Sequence, residues 1–207
     1  MRYLSLILVL ALSFLISQCG ASQRSDQQAT TVVPRSTPDN LPVCWEDQGF
    51  EVEKEWVKEA LTREYVSRGF LNLTGFFDCS PEVAFSGIRI AIADLPPHVK
   101  ELGVQALRGL KDGIVLNMTF KRDNRSCQNN RKDCITGMAV HEFGHVAGLP
   151  DVAIPVASAT ATCTQGQFHQ ASFRSYSLQA DSVMNYCNPN WMSGQLSESD
   201  IEILRSN

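Results

Sequence analysis

The sequence predicts an α+β domain, and three observations carry that reading. Apolar residues recur at helical spacing over residues 51–68. Two runs of β-branched and apolar residues, 88–92 and 114–120, have strand character. An apolar helical stretch from about Cys134 to Ala147 then stops at Gly148.

In chain order, the first feature stands apart from the domain. Met1-Arg2 precedes Tyr3–Ile16, an apolar run that fits a signal-peptide core and is short for a spanning helix. A retained single-pass anchor is the competing reading. Cys19-Gly20-Ala21 offers small residues for cleavage before Ser22, which makes residues 1–21 the signal peptide. Leu15-Ile16-Ser17-Gln18-Cys19 also resembles a bacterial lipobox, although Gln18 departs from the usual small residue. In that case the signal ends before Cys19, which carries the lipid. Residues 22–43 are rich in Gln, Ser, Thr, Asp and Pro, a linker composition, so the domain is expected over 44–207.

Composition and cysteine usage agree with export. The chain is 43% hydrophobic and 19% charged, enough to build a core. Its net charge of −4 and lack of a basic block point away from nucleic acid. Setting aside Cys19 leaves Cys44, Cys79, Cys127, Cys134, Cys163 and Cys187. An even set reads as disulfides in an oxidising compartment. Proximity in sequence suggests Cys44–Cys79, Cys127–Cys134 and Cys163–Cys187, and no CxxC pair points to a second metal cluster.

Within the domain, Val52, Trp56, Val57, Ala60, Leu61 and Tyr65 form the apolar stripe of the first helix, with Gly69 at its C-cap. Ile88–Ile92 reads as a strand ended by Pro96-Pro97. Residues 98–111 fit either a short helix or an irregular loop. Residues 114–120 form a second strand, whose continuous apolar start suggests an interior position. Residues 121–133 read as a polar surface loop pinned by Cys127 and Cys134. After the helix ending near Ala147, residues 152–181 lack periodicity. Ser197 as N-cap, with Asp200 three residues on, opens a last helix that turns Ile201 and Leu204 inward.

The chemistry concentrates in His141-Glu142-Phe143-Gly144-His145-Val146-Ala147-Gly148-Leu149-Pro150-Asp151. Helical residues four apart are rotated by only about 40°, so His141 and His145 can aim two imidazoles at one ion. Glu142 is rotated away from the ligands, yet it can reach a water beside the metal as general base. Gly148 can adopt positive φ and turn the chain back under the histidines, and Pro150 cannot continue the helix. Asp151 is the next group able to bind a metal. Two His and one carboxylate leave zinc an open position, which is the arrangement of a catalytic site.

These residues resemble those of the metzincin metallopeptidases, whose motif is HExxHxxGxx followed by His or Asp. Ser182-Val183-Met184-Asn185-Tyr186 looks like the family's Met-turn. By that resemblance Met184 forms an apolar floor beneath the metal, and Tyr186 assists beside it as a ligand or as a donor to the oxyanion. The Gly-Leu-Pro-Asp tail at 148–151 is similar to that of the snapalysin-like group, where Asp is the third ligand. Leu-Ser-Glu-Ser-Asp-Ile at 196–201 is similar to the start of the C-terminal helix in matrixin-like members. The resemblance covers residues 86–204 in patches. It implies a metzincin-like zincin: a twisted mixed sheet with two long helices above a cleft, and a small irregular C-terminal subdomain with a last helix.

The same resemblance implies one catalytic Zn2+ held by His141, His145 and Asp151, and hydrolysis of peptide bonds in a peptide or protein substrate. No inhibitory prodomain is recognisable, and the flanks of Cys44 do not match a cysteine switch. His98 follows two prolines and reads as a solvated side chain. His169 is the alternative third ligand. Sequons at Asn72, Asn117 and Asn124 carry sugar only in a eukaryotic host, and read as incidental. The expectation is therefore a secreted or membrane-tethered zinc endopeptidase, monomeric, periplasmic or at the cell surface, touching a membrane only through a lipid on Cys19. A hydrolase of another amide, such as a cell-wall amide, is the nearest rival. A non-catalytic metal-binding lipoprotein is the second, and intact Glu142 argues against it.

Overall fold

The computed structural model describes residues 40–80, 84–122, 125–152 and 180–206. The expected signal peptide, Cys19, the linker up to residue 39, Asn124, Cys163, His169 and most of the stretch 152–181 lie outside the described residues.

Five strands, β1 (Leu41–Trp45), β2 (Leu73–Asp78), β3 (Ile88–Ile92), β4 (His98–Val99) and β5 (Ile114–Leu116), form one sheet. Its order is β2-β1-β3-β5-β4. Neighbours pair parallel except β4, which closes one edge antiparallel to β5. The fold is therefore α+β around a mixed sheet, as expected. Sequence reading found β3 and the start of β5 but neither β1 nor β2. Pro42 explains the first miss, since proline argues against an interior strand. Pairing with β3 begins only at Val43 opposite Ile88, so the missing N–H of Pro42 removes no bond on that side. β2 is interrupted by Gly75 and Phe76, both at positive φ, opposite a register shift in β1.

Two further expectations are corrected. β5 ends at Leu116 and does not run on to Phe120, because the Asn117 side chain accepts hydrogen bonds from the N–H groups of Thr119 (3.0 Å) and Phe120 (2.8 Å). That turn replaces the strand ladder with a local one. Residues 121–133 are not one loop. Helix α3 (Arg125–Asn129) lies there, and the motif helix α4 (Arg131–Val146) starts three residues before Cys134. The undecided stretch 98–111 holds β4 and a single turn, α2 (Val104–Leu107).

The long helix α1 (Glu51–Leu61) continues into a π-helical turn, Thr62–Val66, and packs on α4. The turn carries fully buried Tyr65, whose hydroxyl donates to the Val140 carbonyl of α4 at 2.6 Å. Val57, Ala60 and Leu61 of α1, Ile135, Ala139 and Phe143 of α4, and Val43, Ile88, Ile90 and Ile114 of the sheet form one core. Every residue of α4 from Cys134 to Val146 is buried, which marks it as the central helix. Its far side is covered by a 3₁₀ turn, Trp191–Ser193, that lies flat against Gly137. A Cβ there would come 2.8 Å from the Met192 Cα. The last helix, α5 (Glu198–Ser206), begins one residue after Ser197.

Cys44–Cys79 and Cys127–Cys134 are disulfide-bonded. Cys187 is disulfide-bonded as well; Cys163, its expected partner, is not among the described residues. Cys44–Cys79 closes a separation of 35 residues between β1 and the end of β2. Replacing both cysteines by Ala is expected to cost about 4 kcal/mol, through the loop entropy regained by the unfolded chain. Denaturant unfolding without reductant checks this, and an unchanged midpoint would refute it.

Candidate metal centre

His141 and His145 stand on adjacent turns of α4 with ring centroids 5.0 Å apart and planes nearly perpendicular. The helix ends in the manner the glycine implied. Gly148 has φ 92°, its N–H donates to the His145 carbonyl, and the Leu149 N–H donates to the Gly144 carbonyl. The chain then doubles back, and the Val152 N–H is anchored on the Met184 carbonyl at 3.0 Å. This places Asp151 Oδ1 3.1 Å from His141 Nε2 and 3.4 Å from His145 Nε2.

Two donor atoms at about 2.1 Å from a tetrahedral zinc lie about 3.4 Å apart, close to both separations. The tautomers agree. Nδ1 of His141 donates to the Val183 carbonyl and Nδ1 of His145 to the Leu149 carbonyl, each at 2.8 Å. A carbonyl only accepts, so the proton of each neutral ring sits on Nδ1 and the Nε2 lone pair faces Asp151. His141 Nε2, Asp151 Oδ1 and both carboxylate oxygens of Glu142 are buried without a hydrogen-bond partner. Such groups are costly to bury unless a cation or substrate satisfies them. His141, His145 and Asp151 form the one His/Cys/Asp/Glu cluster with metal-ligand spacing among the described residues.

Glu142 has no ligand atom in this cluster. Burial pushes its carboxyl above the ordinary 4.5, against the pull of His141 and His145. Burial also disfavours charge on Asp151, but the two imidazoles in contact with its carboxyl outweigh that and hold it well below the usual carboxylate range. Asp151 is thus an anion ready to ligate, and Glu142 a base poised to take a proton.

Met184 is buried beneath α4. A Cβ on Gly144 would fall inside van der Waals contact of Met184 Sδ, with Met184 Cε at 3.1 Å and the Tyr65 hydroxyl at 3.4 Å. The glycine within the motif therefore lets the methionine floor approach the ligand helix. Gly144→Ala should destabilise the protein by about 2 kcal/mol despite the better helix propensity of alanine. Thermal unfolding checks it, and a more stable Ala variant would refute the close approach.

The Tyr186 ring lies tilted over His141, with centroids 4.2 Å apart. Burial, then the charges of Glu142 and Asp151, push its hydroxyl pKa well above 10, so the hydroxyl stays protonated as a donor. His98 is corrected. It is half-buried on β4 and hydrogen-bonded through Nδ1 to the Pro96 carbonyl at 3.0 Å. Tyr65, Ser182 and Asp200 are part of the site's support and were missed as such. Tyr65 read as one member of an apolar stripe and Asp200 as a helix cap, and nothing in sequence spacing joins either to the motif.

No protein-family model matches the sequence, and no curated protein matches it. Among solved structures the fold is similar to that of myroilysin, with 16% identity, TM-score 0.44, and 81% of this chain and 91% of that chain covered. It is similar to archaemetzincin from Methanopyrus kandleri, with 12% identity, TM-score 0.45, and 84% and 97% covered. It is also similar to high choriolytic enzyme 1, a hatching enzyme zinc-protease from Oryzias latipes, with 16% identity, TM-score 0.40, and 80% and 87% covered. Likenesses of this size carry no residue-by-residue correspondence, and the chemistry of the site stands on the chain's own side chains.

Proposed function

We propose that this chain is an exported zinc-dependent endopeptidase, with His141, His145 and Asp151 as metal ligands and Glu142 as general base. The observation that carries the reading is the convergence of buried lone pairs. His141 Nε2, Asp151 Oδ1 and both Glu142 oxygens have no protein partner, and two of these atoms sit at ligand spacing.

Zinc held by His141, His145 and Asp151 would supply Lewis acidity toward water and a scissile carbonyl. Glu142 takes the proton of the attacking water and returns it to the leaving amine. Tyr186, kept protonated beside His141, donates a hydrogen bond to the carbonyl oxygen as negative charge develops on it. The edge strand supports a peptide as substrate. His98–Val115 and Lys100–Gly113 are the hydrogen-bonded pairs of the β4–β5 ladder, so the N–H and C=O of Val99 point away from β5. An extended peptide can pair there, and the Gly103 N–H on the His145 carbonyl (2.9 Å) ties the following segment to the ligand helix. Export is supported by the signal-like N-terminus and the disulfides.

The test is zinc content of the purified mature protein together with cleavage of a denatured protein and of purified peptidoglycan. One equivalent of zinc and chelator-sensitive proteolysis are expected. Cleavage of peptidoglycan alone would make it a cell-wall amidase, and full activity without metal would sink the proposal.

A further inference from the structure

The two histidines are held differently. His145 Nδ1 donates to the Leu149 carbonyl at the end of its own helix. His141 Nδ1 donates to the Val183 carbonyl, and the same peptide unit continues the chain of bonds. Its N–H, that of Met184, donates to Ser182 Oγ at 3.0 Å, and the Ser182 hydroxyl donates to Asp200 Oδ1 at 2.5 Å. Ser182, Val183, Met184 and Asp200 are all buried. Imidazole, peptide, hydroxyl and carboxylate thus form one unbroken series in which every donor points toward Asp200.

We propose that Asp200 is a positioning residue for the metal ligand His141, acting through Ser182 and the Val183–Met184 peptide, and that zinc affinity depends on this series. The inference rests on the ligand assignment above. A carboxylate polarises each bond of such a chain, making the Val183 carbonyl a stronger acceptor and the Nε2 lone pair of His141 a better donor. A carboxylate usually does this by touching a metal-bound histidine directly. Here a peptide and a serine separate them, and the carboxylate comes from the last helix.

Oδ1 of Asp200 carries the series alone, whereas Oδ2 carries the cap together with a direct bond to Val183 that both serine variants below leave in place, which makes the proposal testable apart from folding. Oδ2 accepts from the Val183 N–H (3.0 Å), the Ser197 N–H (2.9 Å) and the Ser197 hydroxyl (2.9 Å), while the Asp200 N–H donates back to Ser197 Oγ (3.2 Å). This is the capping box of α5. Oδ1 serves Ser182. Ser182→Ala cuts the series and spares the cap, whereas Ser197→Ala weakens the cap and spares the series.

Zinc affinity of the full chain is measured by competition with a chromophoric chelator, and melting temperature on the metal-free proteins. Asp200→Asn and Ser182→Ala are expected to raise the zinc Kd by about 10–100-fold. Ser197→Ala is expected to lower the melting temperature while leaving the Kd within about twofold of wild type. If Asp200→Asn does not fold, Ser182→Ala decides. Wild-type affinity in folded Ser182→Ala, or zinc loss in Ser197→Ala that tracks its melting temperature, overturns the inference. A wild-type chain that binds no zinc overturns the proposed function itself, so the two failures are distinct.

Discussion

Replacing Glu142 by Gln is expected to lower turnover by about 10³-fold while zinc still binds with near-native affinity. Glu142 lies next to His141 but contributes no atom to the candidate ligand cluster, so the proposed mechanism needs its carboxylate for proton transfer and not for holding the ion. Gln keeps the size and the hydrogen-bonding shape but cannot take a proton from water. Steady-state cleavage and a zinc titration on the same preparation separate the two quantities. Near-native turnover would remove the mechanism, and lost zinc would move Glu142 into the ligand set.

The same variant makes a second measurement possible. Burial raises the Glu142 carboxyl above 4.5 in the folded, metal-free protein, so ionising it there costs stability. Below that ordinary value both folded and unfolded chains carry the proton, and the cost is absent. As pH rises from 4.5 toward the raised folded value the cost grows, and above that value it is constant. Gln cannot ionise. Metal-free Glu142→Gln should therefore melt above metal-free wild type, by a margin that opens through this window and then levels off. Equal melting temperatures at all pH values would contradict the buried, unpartnered carboxylate.

Asp151→Ala is expected to weaken zinc by more than about 100-fold, beyond what the loss of a group merely supporting a ligand costs. Asp151→His should retain the ion, since the position lies 3.1 and 3.4 Å from the two Nε2 atoms and either residue type can ligate from there. A neutral third ligand leaves more positive charge at the metal and a more acidic bound water. The acid limb of the pH–activity profile in Asp151→His should then move to lower pH. Tight zinc in Asp151→Ala would hand the third position to another group, with His169 the first to test.

Much of the site was legible because it is local. His145 lies four residues after His141 on one helix, and a glycine with access to positive φ lies three beyond, so helix geometry alone brings two imidazoles together and turns the chain toward Asp151. Ser197 and Asp200 were legible for the same reason, as a capping box within one turn. The two long helices and β3 followed from periodicity. β1 was not, because Pro42 mimics a linker and its tolerance depends on where β3 begins to pair. The length of β5 was not either, because the Asn117 side chain competes with the ladder.

Sequence by itself determined which side chains are available to ligate a metal (His141, His145 and Asp151) and to act as a base beside it (Glu142), where the helix that carries them stops, and a Cys44–Cys79 pairing that the fold bears out. Only the tertiary structure decided what those residues rest on: Met184 against Gly144, Tyr65 on Val140 and Asp200 behind His141. These partners are 40 or more residues apart in the chain. Spacing along a helix or turn has a fixed geometry that can be read from the chain. Contact across such separations is set by how the whole core closes, and no local pattern records it.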